Sequence, residues 1–327
     1  MKPSLTLLAK QIKLERIEKK LPVYDAGLGE NPMPIPEILI NETKKYSYLK
    51  NYTDAKGISK LKNILGNNLV VGNGLKPLLY LLQLAFSNLY KNGTIIHISP
   101  HWVSYKEQTN ILNCKTFLIP TDFRDWKIDF YIFENILSKI SGPKLLILNN
   151  PNNPSGCVYN KFEINIIANV CKKYDVIILS DDIYANIIHS KYEDDYINIS
   201  EVYKNVINSS SLSKTFACGG YRLGWLKFPD NIDDTNLKDL YNYCHVLASS
   251  IYSCPTIMLQ HVAAKALEYP EEIKFQIKMQ KNMFQTISEF CKKRFNDMKI
   301  RSSDSKSSWY YLIDFSNYDY KLINKNI

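Results

Sequence analysis

Four polar clusters each follow a short apolar segment that predicts a strand. They are GNGLKP (72–77), NNPNNPSG (149–156), SDDIY (180–184) and SSLSKT (210–215). The carboxyl ends of parallel strands meet at one edge of a sheet, and ligands bind beyond that edge. We therefore expect the four clusters to meet and to form one site.

Lys214 has the most distinctive chemistry of these clusters. It stands among small residues and is followed by Gly219, Gly220 and Arg222. A lysine in a pocket beyond a strand loses hydration, which lowers its pKa, and the neutral amine forms a Schiff base with an aldehyde. Because a single lysine is ordinarily a surface residue, this interpretation depends on the neighbouring clusters.

The elements that must position these clusters alternate along the chain. Short apolar strands are predicted at 69–71, 94–98, 116–119, 145–148, 176–179 and 206–209. Helices are predicted at 75–90, 129–140 and 160–174. Buried strands that alternate with helices of this length indicate a mainly parallel sheet covered on both faces. We expect an α/β fold whose large domain has three layers, α/β/α.

The two ends of the chain differ from this pattern. Residues 22–36 contain four prolines and two glycines, which predict an extended arm. Residues 235–300 predict consecutive helices, including a long one at about 270–296, and strand candidates follow at 298–302 and 308–314. We expect three parts: an N-terminal arm (1–37), a large domain (38–275) and part of a small α+β domain (276–327).

Composition narrows the classes of function. The net charge of +9 comes from scattered lysines, without an arginine-rich tract or zinc finger, so we expect no nucleic-acid partner. No apolar run is long enough to cross a membrane, and the run at 5–9 is too short for a signal peptide. Seven cysteines without a CxxC pair indicate reduced thiols in the cytoplasm. Five histidines without an HExxH motif argue against a metal site.

Six motifs, in the same order, resemble those of the class I/II aminotransferases, which are pyridoxal 5′-phosphate (PLP) enzymes of fold type I. They are GLGENPMPIP (27–36), NYTDAKGISKLK (51–62), PHWVSY (100–105), NNPNNPSG (149–156), SDDIY (180–184) and SSLSKTFACGGYRLGW (210–225). The resemblance spans about residues 20–315. It implies fold type I, PLP as the cofactor, an amino acid and a 2-oxo acid as substrates, and a homodimer.

The resemblance also implies a role for each matched residue. Lys214 would form the Schiff base and later move the proton between the substrate Cα and the cofactor. Asp181 would pair with the pyridinium nitrogen and keep it protonated. Tyr184 and Asn153 would contact the phenolic oxygen, and Trp102 would stack on the ring. Each of these side chains also has an ordinary structural interpretation, as a turn, cap or core residue.

A second group of residues would bind the phosphate and the substrate. Arg222 offers a planar fork that matches a phosphate, and Ser211 and Ser213 add hydroxyls. Backbone N–H groups at the start of a helix would complete the phosphate site, from Gly74, Leu75 and Lys76. Tyr52 matches a position that reaches the partner subunit's phosphate, although a packed tyrosine is an alternative. Gly29 would lie close to the substrate carboxylate, as would Asn153.

The sequence departs from the family near its C-terminus. The family continues past the strand at 308–315 and supplies an arginine that clamps the substrate α-carboxylate. This chain ends at Ile327, and neither Arg294 nor Arg301 matches that position. The cofactor site is therefore expected to be complete and the substrate site incomplete. A decayed enzyme, a shortened enzyme with different substrate recognition, and an incomplete sequence would each explain this.

Transamination is the function that the sequence favours. A PLP lyase of the carbon–sulfur lyase or cyclopropane-carboxylate synthase type stays open, because the same cofactor motifs serve both reactions. A PLP-binding protein with weak or no turnover, acting as a partner in a hetero-oligomer, is the third alternative.

Overall fold

One mixed sheet forms the centre of the computed structural model, which describes residues 5–23, 27 and 29–316. Its strand order is β1-β8-β7-β6-β5-β2-β3-β4. The strands are β1 (Leu69–Gly72), β2 (Thr94–Ser99), β3 (Thr116–Asp122), β4 (Lys127–Ile128), β5 (Lys144–Asn149), β6 (Val176–Asp181), β7 (Val206–Ser211) and β8 (Gly224–Lys227). Strands β7, β6, β5, β2 and β3 pair in parallel in that order. Strand β8 pairs antiparallel with β7 and with β1, and β4 pairs antiparallel with β3.

Helices cover both faces of this sheet. The helices are α1 (Leu5–Glu18), α2 (Glu37–Tyr46), α3 (Ser59–Leu65), α4 (Leu75–Leu89), α5 (Val103–Leu112), α6 (Phe130–Lys139), α7 (Lys161–Lys173), α8 (Thr235–Tyr252), α9 (Ile257–Leu267) and α10 (Glu271–Asp297). Alternate residues of a strand point to opposite faces. In β5, Leu145 and Ile147 pack with α4 and α8, whereas Leu146 and Leu148 pack with α6 and α7. The predicted three-layer α/β/α architecture is confirmed.

A third apolar cluster lies at the β1 end of the sheet. Leu39 of α2, Leu61 of α3 and Val262 of α9 pack there against Val71, and Ile277 of α10 belongs to the same cluster. This cluster joins the helices that flank the N-terminal arm to the sheet. It also packs the first part of α10 against the β1 end of the sheet.

The strand register aligns the polar clusters at one edge. Asn149 at the end of β5 pairs with Asp181 at the end of β6, and Asp181 pairs with Ser209 of β7. On the other side, Gly224 of β8 pairs with both Ser211 and Gly72. The ends of four strands (β1, β5, β6 and β7) and the start of β8 are therefore neighbours, although they are far apart in the sequence.

The sequence prediction differs from the structure near the C-terminus. The strand candidates at 298–302 and 308–314 form only β9 (Arg301–Ser302) and β10 (Ile313–Asp314), which pair antiparallel. Between them, the N–H groups of Lys306 and Ser308 bond to the carbonyls of Gly156 and Ile187. Those backbone groups serve loops of the large sheet, so they do not extend the small one.

Three further features concern the predicted domain boundary, an additional strand and the length of the apolar helices. The division between 275 and 276 falls inside α10, and the three-part division of the chain stays a prediction. Strand β8, which no pattern predicted, is four residues long and lies between β7 and β1. Across the residues that the structure describes, no helix is both long and apolar enough to cross a membrane.

Candidate active site

A cavity of about 770 Å³ lies at the carboxyl ends of β5, β6 and β7. It is lined by these predicted site residues: Gly29, Leu75, Lys76, Trp102, Asn153, Asp181, Tyr184, Ser211, Ser213, Lys214 and Arg222. Gly74 and Tyr52 are the predicted residues that do not line it. The fold thus brings most of the predicted residues to one place.

Asp181 is the buried acid of this cavity. Its Oδ2 accepts a hydrogen bond of 2.5 Å from the hydroxyl of Tyr105, and its Oδ1 accepts one from the N–H of Ile183. Burial raises the pKa of Asp181 to about 6, and the Tyr105 bond opposes that rise. A cation placed against this carboxylate would favour its charged form.

The neighbouring Asp182 does not line the cavity. Its carboxylate accepts hydrogen bonds from Ser180 at 2.5 Å and from Asn208 at 2.8 Å. Of the two adjacent aspartates in SDDIY, only Asp181 is thus placed to meet a ligand in the cavity.

Lys214 is the cavity's partly buried base. It follows β7 by three residues, and its Nζ donates to the carbonyl of Gly29 in the N-terminal arm. Burial lowers the pKa of Lys214 to about 8; Glu30 and Asp181 raise it, and Arg222 and Lys76 lower it further. A larger fraction of this amine is therefore neutral, and nucleophilic, near neutral pH than of an ordinary lysine.

Tyr184 and Asn153 converge on one point of the cavity. The amide of Asn153 donates to the Tyr184 hydroxyl at 3.3 Å, and that hydroxyl also lies 2.9 Å from the hydroxyl of Tyr310. Burial raises the pKa of Tyr184, so the hydroxyl keeps its proton and stays a donor. This arrangement suits an oxygen acceptor on a bound ligand.

The part of the cavity around Arg222 and the start of α4 is basic and tightly built. Gly74 directly precedes α4 with φ +96°, and a Cβ at Gly74 would collide with the guanidinium of Arg222. A Cβ at Gly224 would lie 2.7 Å from the N atom of Leu75. The two glycines therefore let Arg222 and the first N–H groups of α4 approach each other. A helix start, a guanidinium and the hydroxyls of Ser211 and Ser213 together favour an anion.

Trp102 also lines the cavity. It directly precedes α5, and its ring stands edge-on to Tyr105 with centroids 5.5 Å apart. The Nζ of Lys76 lies 4.7 Å from a Trp102 ring centroid. The indole is thus held from two sides, as a side chain that stacks on a planar ligand must be.

Two predicted residues lie at the margins. Gly29 lines the cavity beside Lys214, and a Cβ there would collide with the hydroxyl of Tyr310. Tyr52 is 89% exposed, so its side chain has little contact within its own chain. Its reach into a partner subunit stays a prediction.

The arginines are unevenly placed. All five lie within the described residues, and Arg222 alone among them lines the cavity. Arg301 bonds to the carbonyl of Phe123 on the surface, and Arg124 pairs with Asp122. Neither therefore reaches the end of the cavity near Gly29.

Sequence reasoning assigned no role to four polar residues that line this site: Glu30, Asn31, Tyr105 and Tyr310. Tyr105 lies three residues after Trp102, one turn along a helix, and this spacing was a signal that both reach one ligand. Glu30 and Asn31 directly follow Gly29 and line the same cavity. Tyr310 also lines the cavity, but nothing in the sequence near it pointed to Tyr184.

The donor set fits the PLP that the motifs implied. Asp181 is a buried acid for a ring nitrogen, and Tyr184 with Asn153 suits a phenolic oxygen. Arg222 and Gly74 form an anion cradle in which a Cβ at Gly74 would have no room. The amine of Lys214, whose pKa is lowered, suits the cofactor's aldehyde. Each functional group of the cofactor thus has a chemically matched partner.

Comparison with known proteins agrees with this fit. The chain is 28% identical over 284 residues to the aspartate aminotransferase of Sulfolobus acidocaldarius, covering 80% of this chain and 66% of that protein. It is 26% identical over 306 residues to aromatic-amino-acid aminotransferase 2 of Thermococcus litoralis, covering 92% and 71%. The chain thus spans about two thirds of the length of these curated relatives.

Solved structures show the same fold. An aspartate aminotransferase of Thermus thermophilus with maleate superposes with a TM-score of 0.86 at 21% identity, covering 98% of this chain and 84% of that one. An aminotransferase of Mycobacterium tuberculosis superposes with a TM-score of 0.85 at 20% identity, covering 100% and 86%. At these identities the likeness is one of fold.

The model of the family "Aminotransferase class I and II" matches residues 41–327. That range contains the lysine, the acid and the anion cradle of the cavity. The cofactor of this family is pyridoxal 5′-phosphate. The chain belongs to the class I and II aminotransferases.

Proposed function

We propose that this protein is a PLP-dependent aminotransferase that moves an amino group between an amino acid and a 2-oxo acid. The observation that carries the proposal is the pairing of Lys214 and Asp181 in one cavity. The pKa of the base is lowered to about 8 and that of the acid is raised to about 6. Opposite shifts of this kind, in one pocket, are typical of catalytic acid–base groups.

The chain's own residues would act at stated atoms. PLP supplies a ring that takes up the electron pair left when the substrate Cα loses its proton. The ε-amine of Lys214 would hold the proton taken from Cα and would carry it between Cα and the cofactor. Asp181, held by Tyr105, keeps a positive charge on the ring nitrogen. Tyr184 and Asn153 hold the phenolic oxygen.

The remaining residues would bind rather than react. Arg222, Ser211, Ser213 and the start of α4 would hold the phosphate. Gly29 would lie against the substrate carboxylate, next to the amine that acts on Cα. A planar ring held at both ends and covered by Trp102 keeps the reacting Cα near Lys214, which is the main contribution of positioning to rate.

We also propose an oligomeric state, a cellular location and a division into domains. A homodimer is supported by the exposed Tyr52, whose side chain is free to enter a second subunit. The cytoplasm is supported by the seven cysteines, none of which is paired. An arm (1–37), a large domain (38–275) and part of a small domain (276–327) remain our proposed division.

Transfer of labelled nitrogen tests the function. The purified chain, loaded with PLP, is incubated with ¹⁵N-labelled amino acids and a panel of 2-oxo acids. We expect a new ¹⁵N-amino acid by mass spectrometry, and none with Lys214→Ala. Release of ¹⁵N-ammonia with an oxo acid, without transfer, would instead assign the chain to the PLP lyases.

A further inference from the structure

Helix α10 presents a polar stripe to the N-terminal arm. Glu272, Gln276 and Gln280 are spaced by four residues and therefore share one face of the helix. Two of them bond to the arm: Gln276 donates to the carbonyl of Pro34 at 2.7 Å, and Gln280 accepts from the amide of Asn31 at 2.7 Å. Glu272 accepts from the N–H of Ile38, in the first turn of α2 directly after the arm, at 3.1 Å. The arm thus runs antiparallel to α10 along this stripe.

The last contact of the stripe extends to the lysine loop. The amide of Asn31 also donates to the backbone carbonyl of Lys214 at 2.6 Å. Gln280 is fully buried and donates to the carbonyl of Thr215 at 2.9 Å. The side-chain oxygen of Asn31 accepts from the N–H of Met33, which fixes the amide's orientation. Asn31 and Gln280 therefore satisfy each other and two consecutive carbonyls after β7.

We propose that Asn31 and Gln280 are positioning residues that hold the backbone of Lys214 and Thr215 so that the ε-amine stays inside the cavity. The proposal rests on the proposed function, in which Lys214 is the reacting amine. The N-terminal arm then holds the lysine twice, through Asn31 at its backbone and through the carbonyl of Gly29 at its Nζ.

Loss of this backbone contact would change the chemistry of the amine. Lys214 owes its lowered pKa first to burial. The charged groups that face it are Glu30 of the arm, Asp181 at the end of β6, Arg222 before β8 and Lys76 of α4. Neither Asn31 nor Gln280 is charged, so their replacement leaves these groups in place. A loop that releases the amine toward water would therefore raise its pKa by restoring hydration.

The test follows covalent attachment of PLP to the cofactor-free protein as pH is varied. The ε-amine adds to the aldehyde, water leaves, and borohydride reduces the resulting C=N bond to a stable secondary amine. The modified peptide is then quantified by mass spectrometry. Gln280→Met keeps the volume and removes both hydrogen bonds. Asn31→Ala, in the partly buried arm, is the second variant and does not depend on the core tolerating a change.

Gln276→Ala is the matched control. It removes a bond from the same face of α10 to the same arm, but one that does not reach the lysine loop. We expect the attachment profile of Gln280→Met and of Asn31→Ala to shift upward by about one pH unit, which slows attachment roughly 10-fold at pH 7. Gln276→Ala keeps the wild-type profile. Because the two residues bond to each other, the double variant should show less than the product of the two effects.

The outcomes separate the two proposals. Profiles of Gln280→Met and Asn31→Ala that coincide with that of Gln276→Ala would overturn the positioning role and leave the aminotransferase proposal intact. An upward shift in all three variants would also overturn it, because the arm as a whole, and not this contact, would then determine the pKa of the Lys214 amine. A wild-type chain that attaches no PLP at Lys214 would overturn both.

Discussion

Tyr105→Phe offers the most informative single change near the cofactor site. The Tyr105 hydroxyl is fully buried and donates to Asp181 Oδ2 at 2.5 Å. The substitution removes one oxygen atom and leaves the ring in contact with Trp102 and in its apolar core cluster. Its effect should therefore appear in the properties of Asp181 and only weakly in packing.

The size of the effect follows from the strength of that bond. A hydrogen bond to a charged group contributes about 1.5–3 kcal/mol. At roughly 1.4 kcal/mol per pH unit, its loss raises the pKa of Asp181 by about one to two units from the value of about 6. About half to nine tenths of the carboxyl is then protonated at pH 7, and less of it carries the charge that pairs with a protonated ring nitrogen. We expect the affinity for PLP at pH 7 to fall about 2- to 10-fold.

The assay is a PLP titration of the cofactor-free protein, followed by absorbance, between pH 6 and pH 9. Tyr203→Phe is the matched control, because Tyr203 is also buried and donates to a backbone carbonyl of β6, that of Val176, at 2.8 Å. We expect the affinity of Tyr105→Phe to recover at high pH and that of Tyr203→Phe to stay at the wild-type value. Equal affinities for the wild type and Tyr105→Phe at every pH would refute the assignment of Asp181 as the partner of the ring nitrogen.

Three further changes test other parts of the site. Gly74→Ala should weaken PLP binding at least 10-fold, because a Cβ would collide with Arg222 and the backbone has φ +96°. Gly220→Ala is the control, since nothing lies within 4 Å of a Cβ there. Equal PLP affinities of the two variants would contradict the proposed phosphate site at Gly74 and Arg222. The rate of PLP attachment to Lys214 should rise with pH and reach half its maximum near pH 8, where its lowered pKa lies, and a midpoint near 10.5 would contradict its burial. Asp181 has a folded pKa of about 6, above its unfolded value of 3.8, so it stabilises the cofactor-free fold below pH 4 and this contribution is lost as pH rises to about 6. Asp181→Asn should reduce that loss in thermal unfolding experiments between pH 4 and pH 6, and an unchanged slope would contradict the burial of this acid.

The sequence predicted the fold well because its signals are local. Each buried strand is a short apolar run, and each polar cluster follows its strand directly, so spacing alone placed Asp181 and Lys214 at one sheet edge. Strand β8 was missed because Gly224 and its three successors are too few to show a period. The strands at 298–302 and 308–314 were predicted too long, because their backbone partners at Gly156 and Ile187 are far away in the sequence.

The parts of the site that escaped prediction depend on long-range pairing. Tyr105 and Asp181 are 76 residues apart, Tyr184 and Tyr310 are 126 apart, and Asn31 and Gln280 are 249 apart. A hydrogen bond between such residues leaves no local pattern, because only the folded sheet and the position of α10 bring them together. The motif residues were identifiable one by one, and the groups that orient them were not.

Absorbance spectroscopy with PLP tests the central claim most directly. The purified chain is given PLP and then a panel of amino acids, with Lys214→Ala in parallel. We predict an absorbance band that depends on Lys214 and that an amino acid converts to the pyridoxamine form, with pyridoxamine phosphate recovered from the protein. A Lys214-dependent band that no amino acid of the panel alters would contradict the proposed transamination, and the absence of any such band would contradict the cofactor site itself.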